Sequence, residues 1–286
     1  MIRLFITACA CTLASQAMFT SPAAAAQEKV KVYILAGQSN MEGHGQVRSL
    51  DRLGEHPQLG SLLEKLKAPD GSWIVRDDVI ISWKSKSPAH GPLTVGWGYG
   101  NKEVGPELLF GAIVGDHHDA PVLLIKTAWG GKDVYCDFRS PGAGDPTADE
   151  AALLARQQSN GNTRMTGEYY EKMITEIKYC LDHLDEIVPG YEGQGYELEG
   201  MAWFQGWNDY CQWHVQIEDQ EVGKGLIDAY PITLAAMFRD LRQELGAPNL
   251  PIVIGEMGIG GTGMDQRAEN PDDREACAIM SFRRAQ

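Results

Sequence analysis

Four apolar runs stand out along the chain, at 29–36, 78–83, 121–128 and 251–257. Continuous Val, Ile and Leu over such lengths suits strands covered on both faces, as in a parallel sheet. A fifth run, 197–204, is less regular and ends as abruptly. Between the runs the spacing turns helical. The clearest case is 168–187, where Tyr170, Met173, Ile174, Ile177, Leu181 and Leu184 fall on one face. The segments 103–114 and 228–245 also read as helices, the second stopping before Gly246, a residue suited to ending a helix. Strands alternating with helices predict an α/β fold, a three-layer α/β/α arrangement around a central parallel sheet of flavodoxin-like type. The segments 135–166 and 211–225 are polar and weakly periodic and read as insertions over the sheet edge.

The first residues change this picture at one end. Arg3 is the sole charge before Glu28, the following stretch is mostly apolar, and Ala24-Ala25-Ala26 offers a small-residue cleavage site. This predicts a signal peptide over 1–26, an exported protein in the periplasm or outside the cell, and a single domain over 27–286. The net charge of −14 disfavours nucleic acid and anionic membrane surfaces as partners. Four cysteines remain beyond the leader: Cys136, Cys180, Cys211 and Cys277. They allow three disulfide connectivities or four free thiols, and no CxxC spacing suggests zinc. No cofactor or metal is expected, and oligomeric state is not encoded in any pattern here.

Ligands of open α/β sheets bind at the carboxyl ends of the strands, and three of those ends carry unusual residues. The first is Gly37-Gln38-Ser39-Asn40-Met41. A helix starting there would set backbone N–H groups and positive dipole beside the Ser39 hydroxyl, although Ser and Asn also serve as plain helix caps. The second is Lys126-Thr127-Ala128-Trp129-Gly130-Gly131, whose glycines let backbone N–H groups approach a ligand or simply make a tight turn. The third is Trp203-Phe204-Gln205-Gly206-Trp207-Asn208-Asp209, where the amides of Gln205 and Asn208 can donate to an oxyanion or settle within a loop. Together they supply a nucleophile and oxyanion donors.

These three blocks resemble those of the SGNH hydrolase superfamily, in particular its sialate O-acetylesterase-like branch related to carbohydrate esterase family six. The resemblance runs from about Val30 to the last residue. It implies a Ser39 nucleophile that removes acetyl groups from sugar hydroxyls. It also implies an oxyanion hole among the Ser39 N–H, a Gly130 or Gly131 N–H, and the amide of Gln205 or Asn208, with Asn208 slightly favoured. Gln38, Trp129 and Trp207 are the expected substrate contacts, and an acetylated carbohydrate is the expected partner. Trp83 and Trp97 are expected in packing, and Arg139 in a surface ion pair rather than on an acidic sugar.

The family completes its triad with Asp-x-x-His near the C-terminus, and none of the seven histidines follows an aspartate at that spacing. The chain stops at Ser281-Phe282-Arg283-Arg284-Ala285-Gln286, which in relatives precedes another strand and the histidine loop. The expectation is therefore a chain lacking its last catalytic block, with a weakly nucleophilic serine. His44 and His214 are the substitutes to consider as base, and His117-His118 precedes a strand at the wrong edge. The alternative to an active esterase is a carbohydrate-binding pseudoenzyme that kept the pocket. Hydrolysis of lipid or aryl esters on the same fold is a third option.

Overall fold

The apolar runs become strands nearly where their pattern places them, and the computed structural model describes residues 28–161, 163–215 and 220–286. The expected leader lies outside the described residues. The strands are β1 (Val30–Gly37), β2 (Gly45–Gln46), β3 (Arg76–Ser82), β4 (His90–Leu93), β5 (Glu103–Val104), β6 (Val122–Ala128), β7 (Tyr196–Phe204) and β8 (Ile252–Ile254). The helices are α1 (Ser39–Glu42), α2 (Glu107–His117), α3 (Ala148–Ser159), α4 (Glu168–Asp182), α5 (Leu184–Ile187), α6 (Trp207–Val215), α7 (Gln220–Glu244), α8 (Met264–Arg267) and α9 (Arg274–Ala285).

Six strands form one sheet in the order β4–β3–β6–β1–β7–β8. Every pairing in it is parallel except β3 with β4. Side chains alternate across the sheet as a pleated strand requires. Val30, Val32, Ile34 and Ala36 of β1 join Leu123, Ile125, Met201 and Trp203 in the core under α4, α7 and α9. Leu35 joins Val122, Leu124 and Ala202 in the opposite core, against Phe110 and Val114 of α2. Helices on both faces of a mostly parallel sheet make the three-layer α/β/α fold. Gly111 lets α2 lie close, since a Cβ there would stand 2.3 Å from Leu93.

Several elements differ from the pattern's prediction. The run 251–257 yields only a three-residue strand, β8, at the sheet edge, with Val253 67% exposed; among the described residues no strand pairs with its outer side. The antiparallel edge strand β4 escaped detection because His90-Gly91-Pro92-Leu93 is short and carries proline, which sheets tolerate at an edge. The helix expected over 103–114 starts after Pro106, and Glu103–Val104 pairs as a strand with β2. The run 168–187 breaks at His183, and 228–245 is the second half of a longer α7 that accommodates Pro231. The insertion 135–166 contains α3, started by a capping box between Thr147 and Glu150.

Two buried charge systems hold the loops above the sheet. Lys126 of β6 is fully buried, and its Nζ donates to Glu107 Oε2, the Glu42 carbonyl and the Trp97 carbonyl, each at 2.8 Å. All three ammonium donors are thus used. Burial pushes the Lys126 pKa down, and Glu107 opposes that shift. The second system is Arg164, whose Nη2 lies 2.5 Å from Asp133 Oδ2 and 2.6 Å from Asp137 Oδ2. Asp133 Oδ1 also accepts the Cys136 and Asp137 N–H groups, which folds 133–137 into a compact turn. Arg139, expected on the surface, is buried instead. It bonds Glu150 and the carbonyls of Tyr135, Ala143, Gly144 and Asp145 because the insertion closes over it. Cys136, Cys180, Cys211 and Cys277 are all free thiols.

Removing Lys126 alone leaves Glu107 buried and unpaired. Lys126→Ala should therefore cost about 3–5 kcal/mol of unfolding free energy in urea titrations. Joint replacement by Lys126→Met and Glu107→Leu should recover only part of that loss, because the Glu42 and Trp97 carbonyls stay without their Lys126 donor. The Asp133 carboxyl is pushed up to about 6, mainly by burial, with Asp137 reinforcing and Arg164 opposing the shift. Folded Asp133 therefore holds its proton where the unfolded chain, at the ordinary 3.8, has released it. Stability attributable to it falls as pH rises from about 4 to about 6, then levels off. Urea midpoints at about pH 4.5 and about pH 6.5 should differ less in Asp133→Asn than in the parent.

Candidate active site

Three strand ends lie level with one another. Gly37, the last residue of β1, pairs with Ala128 of β6 on one side and Phe204 of β7 on the other. The three blocks singled out from the sequence therefore leave the sheet at the same height. Gly37 has φ +151°, and a Cβ there would stand 2.2 Å from the Phe204 carbonyl oxygen, so glycine is required. The chain then turns sharply. Gln38 N donates to the Phe204 carbonyl at 3.1 Å, and Trp129 N donates to the Gly37 carbonyl at 3.2 Å.

Ser39 is the first residue of α1, with Gln38 rather than Ser39 in the capping position. One turn of helix carries little macrodipole; its contribution here is the free N–H groups at its start. Ser39 is half-buried, and among the described residues neither its hydroxyl nor its N–H has a hydrogen-bond partner. The Gly130 N–H is free in the same sense. Gly130 and Gly131 are exposed, and Gly131 sits at φ +76°.

The expected amide donors meet at a single carbonyl. Asn208 Nδ2 donates to Gln38 Oε1 at 2.9 Å and to the Lys132 carbonyl at 3.1 Å. Gln205 Nε2 donates to the same Lys132 carbonyl at 3.2 Å and to Asp209 Oδ2. Gln205 is buried, whereas Asn208 is half-exposed. Gln38 is fully buried, and its Oε1 also accepts the Asn208 N–H at 3.2 Å. Its Nε2 has no partner among the described residues. Trp129 is 8% exposed, with its ring against Phe138 and Tyr169. Trp207 is 39% exposed and edges a cavity of about 310 Å³ that Asn40, Gln205, Gly206 and Met257 also line. Trp83 and Trp97 are buried.

Of the histidines, His118 bonds Tyr33 at 2.9 Å at the opposite end of the sheet, as its position before β6 implied. The side chain of His214, in α6, lies outside the described residues. His44 follows α1 and lies between two carboxylates, 3.6 Å from Glu42 and 3.6 Å from Glu103. No described histidine pairs with an aspartate. Among the described residues no group of three His, Cys, Asp or Glu side chains is placed to hold a metal ion.

Two residues near the site went unassigned in the sequence. Asp209 accepts the Val134 N–H at 3.0 Å and the Tyr135 N–H at 3.4 Å, so it ties the loop after Gly131 to the third block. Burial raises its pKa well above the usual carboxylate range, and Asp133 adds to the shift. Its place beside Asn208 in the third block was the available signal. Glu42 is buried against Gly130, and its partner across the fold could not be read from its place in the first block.

Comparison with known proteins bears on this arrangement. No curated protein sequence matches the chain. A solved structure of a protein from Arabidopsis thaliana is similar with a TM-score of 0.48 and 16% identity, over 91% of this chain and 81% of that one. A carbohydrate acetylesterase from Xanthomonas citri is similar with a TM-score of 0.45 and 15% identity, over 89% of this chain and 46% of that one. A family profile described as carbohydrate esterase, sialic acid-specific acetylesterase, matches residues 29–281, and the chain belongs to that family.

Proposed function

We propose that the protein is a serine esterase that removes O-acetyl groups from carbohydrates. The observation that carries this reading is the common height of Gly37, Ala128 and Phe204, which brings Ser39 beside Gly130 and the third block. Ser39 Oγ attacks the acetyl carbonyl carbon. The developing oxyanion lies against the free N–H groups of Ser39 and Gly130, which need no rearrangement to receive it. Gly131 holds the turn open. Asn208 is the better placed third donor, because it reaches solvent while Gln205 is enclosed; donating to the oxyanion means releasing the Lys132 carbonyl. Collapse of the tetrahedral intermediate expels the sugar oxygen, which takes the proton given up by Ser39 and leaves as the hydroxyl; water then attacks the acetyl-serine, frees acetate and returns a proton to Ser39 Oγ. Among the histidines considered as base, His44 lies on the loop that leaves α1 and His214 in the helix that opens at Trp207. Trp207 offers a half-open aromatic face to the sugar, and buried Gln38 acts by orienting Asn208.

The family membership supports the ester chemistry, and the amino-terminal composition supports export as part of the same proposal. Purified protein should hydrolyse p-nitrophenyl acetate, and Ser39→Ala should lower kcat by about a thousandfold or more. Equal rates in the two proteins would overturn the assignment of Ser39. Amino-terminal sequencing of protein from the exported fraction should begin near Gln27; an intact Met1 there would overturn cleavage of the leader.

A further inference from the structure

On the β6 side of the nucleophile turn, an exposed aromatic ring sits on a braced loop. Tyr99 is 65% exposed. Its backbone is nevertheless held firmly: its N–H donates to the Gly43 carbonyl at 2.8 Å, and its carbonyl accepts from Lys86 Nζ at 3.2 Å. The loop is closed beneath it by Gly98 N to the Glu103 carbonyl at 3.0 Å and Gly100 N to Glu103 Oε2 at 2.8 Å. Gly43 N in turn donates to the Ser39 carbonyl at 3.0 Å, so two backbone hydrogen bonds link Tyr99 to the nucleophile. A rigid, exposed tyrosine offers broad contact area with little side-chain entropy to lose.

The groups around the ring complete a site. His44 lies beside Tyr99, with ring centroids 5.0 Å apart and planes inclined at 34°. Two carboxylates flank His44, and they differ in an informative way. Glu103 has both oxygens occupied, one by Gln46 Nε2 at 2.7 Å and the other by Gly100 N. Glu42 is 8% exposed, yet its carboxylate accepts no hydrogen bond among the described residues. Its neighbour His44 stands at 3.6 Å, beyond hydrogen-bond range. The little of the Glu42 side chain that is exposed keeps its carboxylate oxygens open to a donor from outside the chain. Glu42 Oε2 lies where a Cβ on Gly130 would come within 2.8 Å, so the glycine leaves this oxygen approachable beside the proposed oxyanion donors.

We infer that Tyr99, His44 and Glu42 form a saccharide subsite beside Ser39. The sugar ring lies on the exposed face of Tyr99, and one of its hydroxyls donates to Glu42. The inference rests on the esterase reading for the identity of the ligand as an acetylated sugar. It differs from that reading in placing the sugar toward β6 as well as toward Trp207, and in giving Glu42 a sugar hydroxyl as donor.

The test uses Ser39→Ala protein, so that the ligand survives, and a methyl glucopyranoside carrying one O-acetyl group. NMR titration should show upfield shifts of the sugar C–H protons, the signature of stacking on an aromatic face. Added to this background, Tyr99→Ala should weaken binding about tenfold or more, Glu42→Gln by about tenfold, and Tyr99→Trp by no more than about threefold. Absence of binding, or equal binding by the Tyr99→Ala and parent proteins, would overturn the subsite. Hydrolysis of p-nitrophenyl acetate involves no sugar ring. Failure of the Ser39 assignment in that assay therefore leaves a Tyr99-dependent sugar signal as separate support for the subsite.

Discussion

A single missing side chain governs the site. β1 runs between β6 and β7, and at its end the backbone of Gly37 passes so near the Phe204 carbonyl that no Cβ fits. That close approach lets the chain turn immediately and leave Ser39 at the edge of the sheet, half-buried, its hydroxyl without a partner among the described residues. Gly206 has the same φ of +151° just beyond β7, so two neighbouring strands end in the same steep exit. A side chain at Gly37 would push β1 and β7 apart where their loops must meet. The parallel sheet thus does more than carry the loops, since its register determines which of them touch.

Above the sheet, polar groups rather than apolar packing hold the loops. The Lys132 carbonyl receives both Gln205 and Asn208, and Gln38 receives Asn208 from the other side. Each of the three loops therefore supplies a partner to another. Beneath them Lys126 reaches through the core to the carbonyls that end α1 and precede the Tyr99 loop. Enclosed networks of this kind are costly when partly satisfied and strong when complete. Among the described residues the free groups are then conspicuous: the Ser39 hydroxyl and N–H, the Gln38 Nε2 and the Glu42 carboxylate on the turn after β1, and the Gly130 N–H on the turn after β6. A frame with its own polar groups paired, surrounding a few that are not, suits a ligand that brings an acyl oxygen and a hydroxyl.

The surroundings also explain which aromatic residues can meet a ligand. Trp129 sits within the second block, but its ring is part of the core with Phe138 and Tyr169. Trp207, in the third block, and Tyr99, bonded through its N–H to the Gly43 carbonyl, are exposed rings borne by segments that adjoin the Ser39 turn. A sugar at the nucleophile would find an aromatic face on either segment.

The sequence by itself determined the strands at the centre of the sheet and the residues at their carboxyl ends. Those strands are buried on both faces, so their apolar runs are continuous and the chemistry after each run is conspicuous. Periodicity was weakest at the sheet edges and in insertions: β4 and β8 are short, and the polar stretch around Arg139 hides a buried arginine that pairs across sequence with Glu150. Only the tertiary structure decided which amides were already bonded, that Glu42 accepts no hydrogen bond among the described residues, and that Tyr99 stands beside His44. These depend on contacts between residues tens of positions apart, and such contacts follow from sheet register and loop packing, which local pattern does not contain.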